Sequence, residues 1–317
     1  MLTKNINSIF LSKATVVFKM VLYLLIIVLI FGIIGFSIIA PISKGLRIDI
    51  MKVGLGHKFA QYVEATLTDN NPEAARVVLI EAFQKIDDIM AAWNGEVIAA
   101  IVVFVVLSIL YAIVYFMSYY TVSDIINNFM STNSKYGFAA NFVANSKKSF
   151  MFSLWYTLYI LGIYVIGFGA AIGLGLLIGR ASAIIGLFVM YLLAIGTLAL
   201  RRALTPFWMP AMVANDLSTK DAFYKNFELL KGRFAKTFGA YFMLYLISVV
   251  LFLASAILTF GVAMIFMFCA IWLYFQIRDM VAFYHISGKK YYIDEQTVID
   301  PKKVYRDAVL DEENFKL

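Results

Sequence analysis

From Thr237 to Ile277 the chain carries no Asp, Glu, Lys or Arg, a run of 41 residues. One helical crossing of a bilayer needs about 20 apolar residues, so this run is long enough for two. A soluble core does not require uninterrupted apolar sequence of that length. The composition agrees: 62% of the residues are hydrophobic and 15% are charged, against about 25% charged in soluble domains. The sequence therefore specifies an integral membrane protein of the all-α, polytopic class.

Six spans are expected, at about 20–40, 97–120, 150–178, 181–200, 237–258 and 262–283. Pro41 ends the first, which reads as an uncleaved anchor because its apolar stretch exceeds a signal-peptide core. Gly261 is the expected turning point between the last two, since glycine tolerates tight-turn backbone angles. Residues 1–285 then form the membrane domain, 41–96 an outer helical insertion, and 286–317 a cytoplasmic tail.

Charge sets the expected orientation. With the N-terminus inside, the inner segments hold 20 Lys and Arg residues and the outer ones 7, as cytoplasmic loops enriched in basic residues require. This layout places a multi-pass protein in the cell membrane with both termini cytoplasmic. The net charge of +7 then reads as topology signal and anionic headgroup contact, not as a nucleic-acid footprint.

The insertion contains "DNNPEAARVVLIEAFQKIDDIMAAWNG". Asn71 as cap, Pro72 in the first turn and Glu73 at the positive helix end predict a helix. Leu79, Phe83, Ile86, Met90 and Trp93 supply an apolar face. Leu55, Phe59, Tyr62, Val63 and Thr66 suggest a second helix, and the two together a small outer cap.

An internal repeat is expected from "MSTNSKYGFAANFVANSKKSFMFSLWYTLY" at Met130 and "LSTKDAFYKNFELLKGRFAKTFGAYFMLY" at Leu217. Each pairs Ser-Thr, a central Asn-Phe and basic residues ahead of a span. The N-terminus is a fainter third copy. The unit would be an amphipathic inner helix followed by a transmembrane hairpin. This pattern, chiefly "LTPFWMPAMVANDLSTKDAFYKNFELLKGRF", resembles six-helix prokaryotic membrane protein families that include the membrane domain associated with glycerophosphoryl diester phosphodiesterases. The resemblance covers about half the chain. It implies a fold and no reaction, because catalysis in that family belongs to a separate soluble domain that this sequence lacks.

In the basic segment 201–236, Pro206 and Pro210 break the helix, and Asp216 or Ser218 can cap the next one. Phe223, Phe227, Leu230 and Phe234 form one face, with Lys220, Lys225, Lys231, Arg233 and Lys236 around it. Arg201, Arg202, Trp208, Lys220, Lys225, Lys231 and Arg233 are the candidate contacts to anionic lipid or to a cytoplasmic protein partner. Gly169, Gly173, Gly175 and Gly179 have small-xxx-small spacing and are expected to pack span three on span four, through Gly186, Ala194 and Gly196. Arg278 and Asp279 could pair locally near the inner end of span six, flanked by Gln276 and His285.

No Gly-x-Ser-x-Gly or His-Glu-x-x-His motif occurs, and the chain has two histidines and one cysteine. Neither an enzyme nor a metal or other cofactor is expected. The expected function is a non-enzymatic membrane protein with a lipid-associated, assembly or transport-support role. The alternative is a permease-like transporter component, a possible homo-oligomer, coupled to a cytoplasmic partner through the 217–236 helix.

Overall fold

The computed structural model describes residues 2–54, 57, 58, 60–62, 64, 72–132, 137–180, 182–292, 298 and 299. Among them, helices run as α1 (Leu2–Ser12), α2 (Thr15–Lys52), α3 (Pro72–Ala92), α4 (Asn94–Thr132), α5 (Phe138–Ala144), α6 (Ser146–Gly179), α7 (Ala183–Leu204), α8 (Trp208–Ala214), α9 (Thr219–Leu230), α10 (Phe234–Leu258) and α11 (Met264–Ser287). Tyr291–Tyr292 pairs antiparallel with Val298–Ile299. Residues 293–297 and 300–317 of the expected tail lie outside the described residues. Six helical stretches are long and apolar enough to cross a membrane, so the all-α polytopic class holds.

Helix boundaries differ from expectation in three places. The expected 217–236 helix is interrupted: α9 ends at Leu230, Gly232 takes φ of +74°, and α10 begins at Phe234. Pro41 does not end α2, which continues to Lys52. Proline removes its own N–H and crowds the carbonyl four residues earlier, but the neighbouring turns keep their hydrogen bonds; the Ser43 hydroxyl adds a bond to the Ala40 carbonyl at 3.0 Å. The second span does not stop at Tyr120 either. α4 runs three turns further, because Tyr119 to Met130 are mostly buried against protein rather than forming a loop. The turn between α10 and α11 does fall at Gly261, where φ is +86° and the amide donates to the Ala256 carbonyl at 2.9 Å.

The chain divides into two units, Met1–Leu25 with Ala112–Leu317, and Ile26–Tyr111. In the smaller unit, Phe31 and Tyr111 meet edge to face at 5.7 Å. The indole of Trp93 lies on Gly45, where a Cβ would come within 2.3 Å of it, and donates to Asp49 at 3.0 Å. α3 forms as expected, but Phe83 on its supposed inner face is 66% exposed, while Ala82 is buried. The proposed second cap helix falls mostly outside the described residues, with Leu55, Phe59, Val63 and Thr66 among those not described.

In the larger unit, α6 packs along α7, α7 along α10, and α1 against α11. Short helices α1, α5 and α9 each precede a long one, and each carries one buried asparagine: Asn5, Asn141 and Asn226. Apolar surface along the long helices is mostly exposed; Ile166, Ile184, Ile257 and Leu258 are examples. Hydrocarbon, rather than water, is the solvent such surfaces fit.

The α6–α7 contact uses some of the expected glycines. A Cβ on Gly186 would stand 2.5 Å from the Gly179 Cα and 2.6 Å from the Gly175 carbonyl oxygen. A Cβ on Gly175 would meet Met190 at 2.7 Å, and one on Gly167 would meet Thr197 at 2.3 Å. A Cβ on Gly169, Gly173, Gly179 or Gly196 would meet nothing within 4 Å, although the Gly179 backbone itself lies against Gly186. The helical period explains this correction: Gly167, buried Ala171, Gly175 and Gly179 recur every four residues on one face, whereas Gly169 and Gly173 lie about 200° around from Gly167 and Ala171.

Candidate functional site

The site is built where α7 ends. The chain turns at Thr205-Pro206 before α8 begins at Trp208. Asn226, fully buried on α9, closes that corner from both sides. Its amide Nδ2 donates to the Leu204 carbonyl at 2.8 Å, and its Oδ1 accepts from the Phe207 amide at 2.9 Å. One side chain thus satisfies an acceptor at a helix end and a donor at the next helix start, groups that helices leave orphaned. Pro210 sits in the first turn of α8, where no N–H is needed. Ser218 caps α9: its hydroxyl accepts from the Asp221 amide at 3.2 Å. Asp216 instead takes φ of 52° and pairs with Lys148.

Trp208 is not a surface anchor. It is 4% exposed, its indole N–H donates to the Thr219 carbonyl at 2.8 Å, and its ring meets Phe223 at 4.6 Å and Phe152 at 5.4 Å. Two prolines and a bound asparagine fold the segment back into the protein instead of along a membrane surface. The Lys289 ammonium closes the far end, donating to the Ala214 carbonyl at 2.7 Å. Burial lowers the pKa of that lysine.

Arg202 is likewise interior, at 2% exposure. Its Nη2 lies 2.7 Å from Asp279 Oδ2 on α11, and its guanidinium lies between the rings of Tyr119 and Phe275, 5.1 and 5.3 Å from their centroids. The other carboxylate oxygen of Asp279 accepts from the Tyr241 hydroxyl on α10. Asp279 therefore pairs across the fold with Arg202, not with its neighbour Arg278. Adjacent residues on a helix point about 100° apart, and Arg278 lies over the Tyr241 ring at 4.0 Å. Arg201, half-buried, donates to the Tyr164 hydroxyl on α6.

Polar links continue toward α4. The Ser123 hydroxyl donates to Gln276 Oε1 at 2.7 Å, and the Tyr284 hydroxyl donates to Asn127 at 2.7 Å. Asp124 accepts from Asn128 and Asn145, each at 3.2 Å. Among the described residues no three His, Cys, Asp or Glu side chains converge to hold a metal ion.

The expected contact residues thus separate into two sets. Arg202 and Trp208 are buried structural residues, and Arg201 is tied to Tyr164. Lys220, Lys231 and Arg233 are exposed. Lys225 is partly exposed and pairs with Glu228 at 2.9 Å. The sequence reading missed Tyr241, Tyr119 and Trp272 as site residues, since each sits within an apolar run with nothing to mark its direction. Asn226 was visible only as the centre of the repeated Asn-Phe pair. Comparison with protein-family models, curated proteins and solved structures finds no match.

Proposed function

We propose that this integral membrane protein is non-enzymatic and supports a lipid-associated, assembly or transport process at the cytoplasmic face of a cell membrane, with both termini cytoplasmic. The observation that carries the reading is the surface at the α9–α10 junction. Lys231, Arg233 and Lys236 are exposed there and Lys220 is exposed in the first turn of α9, together with exposed Tyr224, Phe227 and Phe234. Each basic residue near an anionic leaflet contributes about 1 kcal/mol, and the adjoining aromatic rings favour the interface.

Replacing Lys220, Lys231, Arg233 and Lys236 together with glutamine tests it. Native mass spectrometry of the gently solubilised protein should show co-purifying anionic lipid, and the quadruple variant should lose much of it. Equal lipid retention in both would refute a role for this surface.

A permease-like role coupled to a cytoplasmic ATPase is the second reading. Asn226 favours it, because it joins α9 rigidly to the end of α7, so force on α9 reaches that span directly. A stoichiometric ATPase in the same spectra, lost on substitution of Lys220 and Lys225, supports it. Homo-oligomers would register in the same measurement.

A further inference from the structure

Helices α4, α7 and α11 enclose a group of buried hydrogen-bond donors that have no acceptor. Arg202 Nε and Nη1, the Trp272 indole N–H, the Gln276 amide nitrogen and the Tyr119 hydroxyl all lack a partner among the described residues. None of the four side chains is more than 6% exposed. They are neighbours: the Tyr119 and Trp272 rings lie 5.1 Å apart, and the Arg202 guanidinium lies 5.1 Å from the Tyr119 ring. Gln276 follows Trp272 by one turn of α11, and Ser123 follows Tyr119 by one turn of α4. Because the Ser123 hydroxyl occupies Gln276 Oε1, that side chain is fixed with its donor end unused.

Native interiors leave few buried polar groups unpaired, and here every orphan can donate, three of the four only donate, and one is charged. The formal charges point the same way. Arg202 and Arg278 both act on a single carboxylate, Asp279. Water could accept some of these hydrogen bonds but would leave the excess positive charge in place. An oxyanion answers both needs, since it offers several acceptors and a negative charge to a guanidinium.

We propose that this interior is a binding site for a phosphoryl oxyanion, held by Arg202, Trp272 and Gln276 with Tyr119 beside it. The site is separate from the exposed lysines at the α9–α10 junction and does not depend on their role. A phospholipid headgroup and free phosphate share this chemistry.

The test titrates full-length protein in detergent with inorganic phosphate or with short-chain phosphatidylglycerol, at constant ionic strength set with sodium chloride. Tryptophan fluorescence and thermal stability report binding. Saturable binding of at least one probe is expected. Phosphatidylglycerol alone would identify a headgroup site; binding of both would identify the phosphate group itself. Trp272→Phe keeps the ring and removes the donor, and Gln276→Glu replaces a donor with a charge that repels an anion. Each should weaken binding about tenfold or more, as loss of a hydrogen bond to a charged group does, with thermal stability as the binding readout for Trp272→Phe. The Lys220, Lys231, Arg233 and Lys236 quadruple glutamine variant should bind the probe unchanged. No saturable binding of either probe would overturn the proposal. So would affinity that survives both interior substitutions but falls in the surface variant, or a high-resolution map with only water between these donors.

Discussion

Removing the Asp279 carboxylate should be among the most damaging single changes in the protein, yet removing its partners as well should restore most of the loss. The Arg202–Asp279 contact is 2.7 Å, with the side chains only 2% and 8% exposed. At an effective dielectric constant of about 20, two unit charges at that distance attract by about 6 kcal/mol. Desolvation costs several kcal/mol per ion, so the pair contributes little net stability relative to an apolar replacement. Asp279→Leu deletes the attraction but keeps Arg202 buried, and should cost about 3–5 kcal/mol. Three kcal/mol is about a 150-fold change in the folding equilibrium. It also orphans the Tyr241 hydroxyl; Tyr241→Phe alone should cost about 1.5–3 kcal/mol, the range for a hydrogen bond to a charged group. The triple variant Arg202→Met, Tyr241→Phe, Asp279→Leu removes all three polar groups and should lie much closer to the parent than Asp279→Leu does. Reversible unfolding in mixed detergent and dodecyl sulfate micelles measures each variant. Losses that simply add across the three positions, or an Asp279→Leu cost below about 1 kcal/mol, would refute the buried-pair reasoning.

Asn226→Ala should cost about 2–4 kcal/mol by the same assay, because it strands both the Leu204 carbonyl and the Phe207 amide. Gly186→Ala forces a methyl against α6 backbone and should cost about 1–3 kcal/mol, whereas Gly173→Ala, facing open space, should be neutral or slightly stabilising. Acid should detach Trp93 from Asp49 only below the ordinary aspartate range. The Lys52 and Trp93 hydrogen bonds lower that carboxyl's pKa, so their contribution is present above the unfolded value and lost as pH falls through the folded one. The difference in fluorescence titration between the parent and Trp93→Phe measures this, and Asp49→Asn should abolish the transition.

Much of the fold was legible because hydrocarbon burial leaves long, unmistakable signals. Six apolar runs, the glycine turn at 261 and the Ser218 cap could all be read from residue type and order. What could not be read was direction. Arg202 and Arg201 are adjacent in sequence and both sit at a span end, yet one enters the core to meet Asp279 and the other reaches Tyr164 on α6. Basic residues at span ends usually mark headgroup depth, and only the position of Asp279, 77 residues later in the sequence, reveals the buried pair. Trp208 misled for a related reason: the prolines that break the helix also turn the indole inward. Small-xxx-small spacing located the glycine face only partly, since two overlapping sets of glycines share α6 and the helical period alone does not say which set faces α7. Tyr241 and Trp272 carry polar atoms whose importance depends on neighbours from three other helices, and local sequence holds no record of them.

Side-specific cysteine labelling tests the central claim most directly. With Cys269 replaced by alanine, single cysteines at Lys220, at Phe260 and at the C-terminus are labelled with an impermeant reagent in sealed vesicles of known orientation. The account predicts that Lys220→Cys and the C-terminal cysteine react from the cytoplasmic side, and Phe260→Cys from the opposite side. Reaction of Lys220→Cys and Phe260→Cys from one side, or of Lys220→Cys and the C-terminal cysteine from opposite sides, would contradict it.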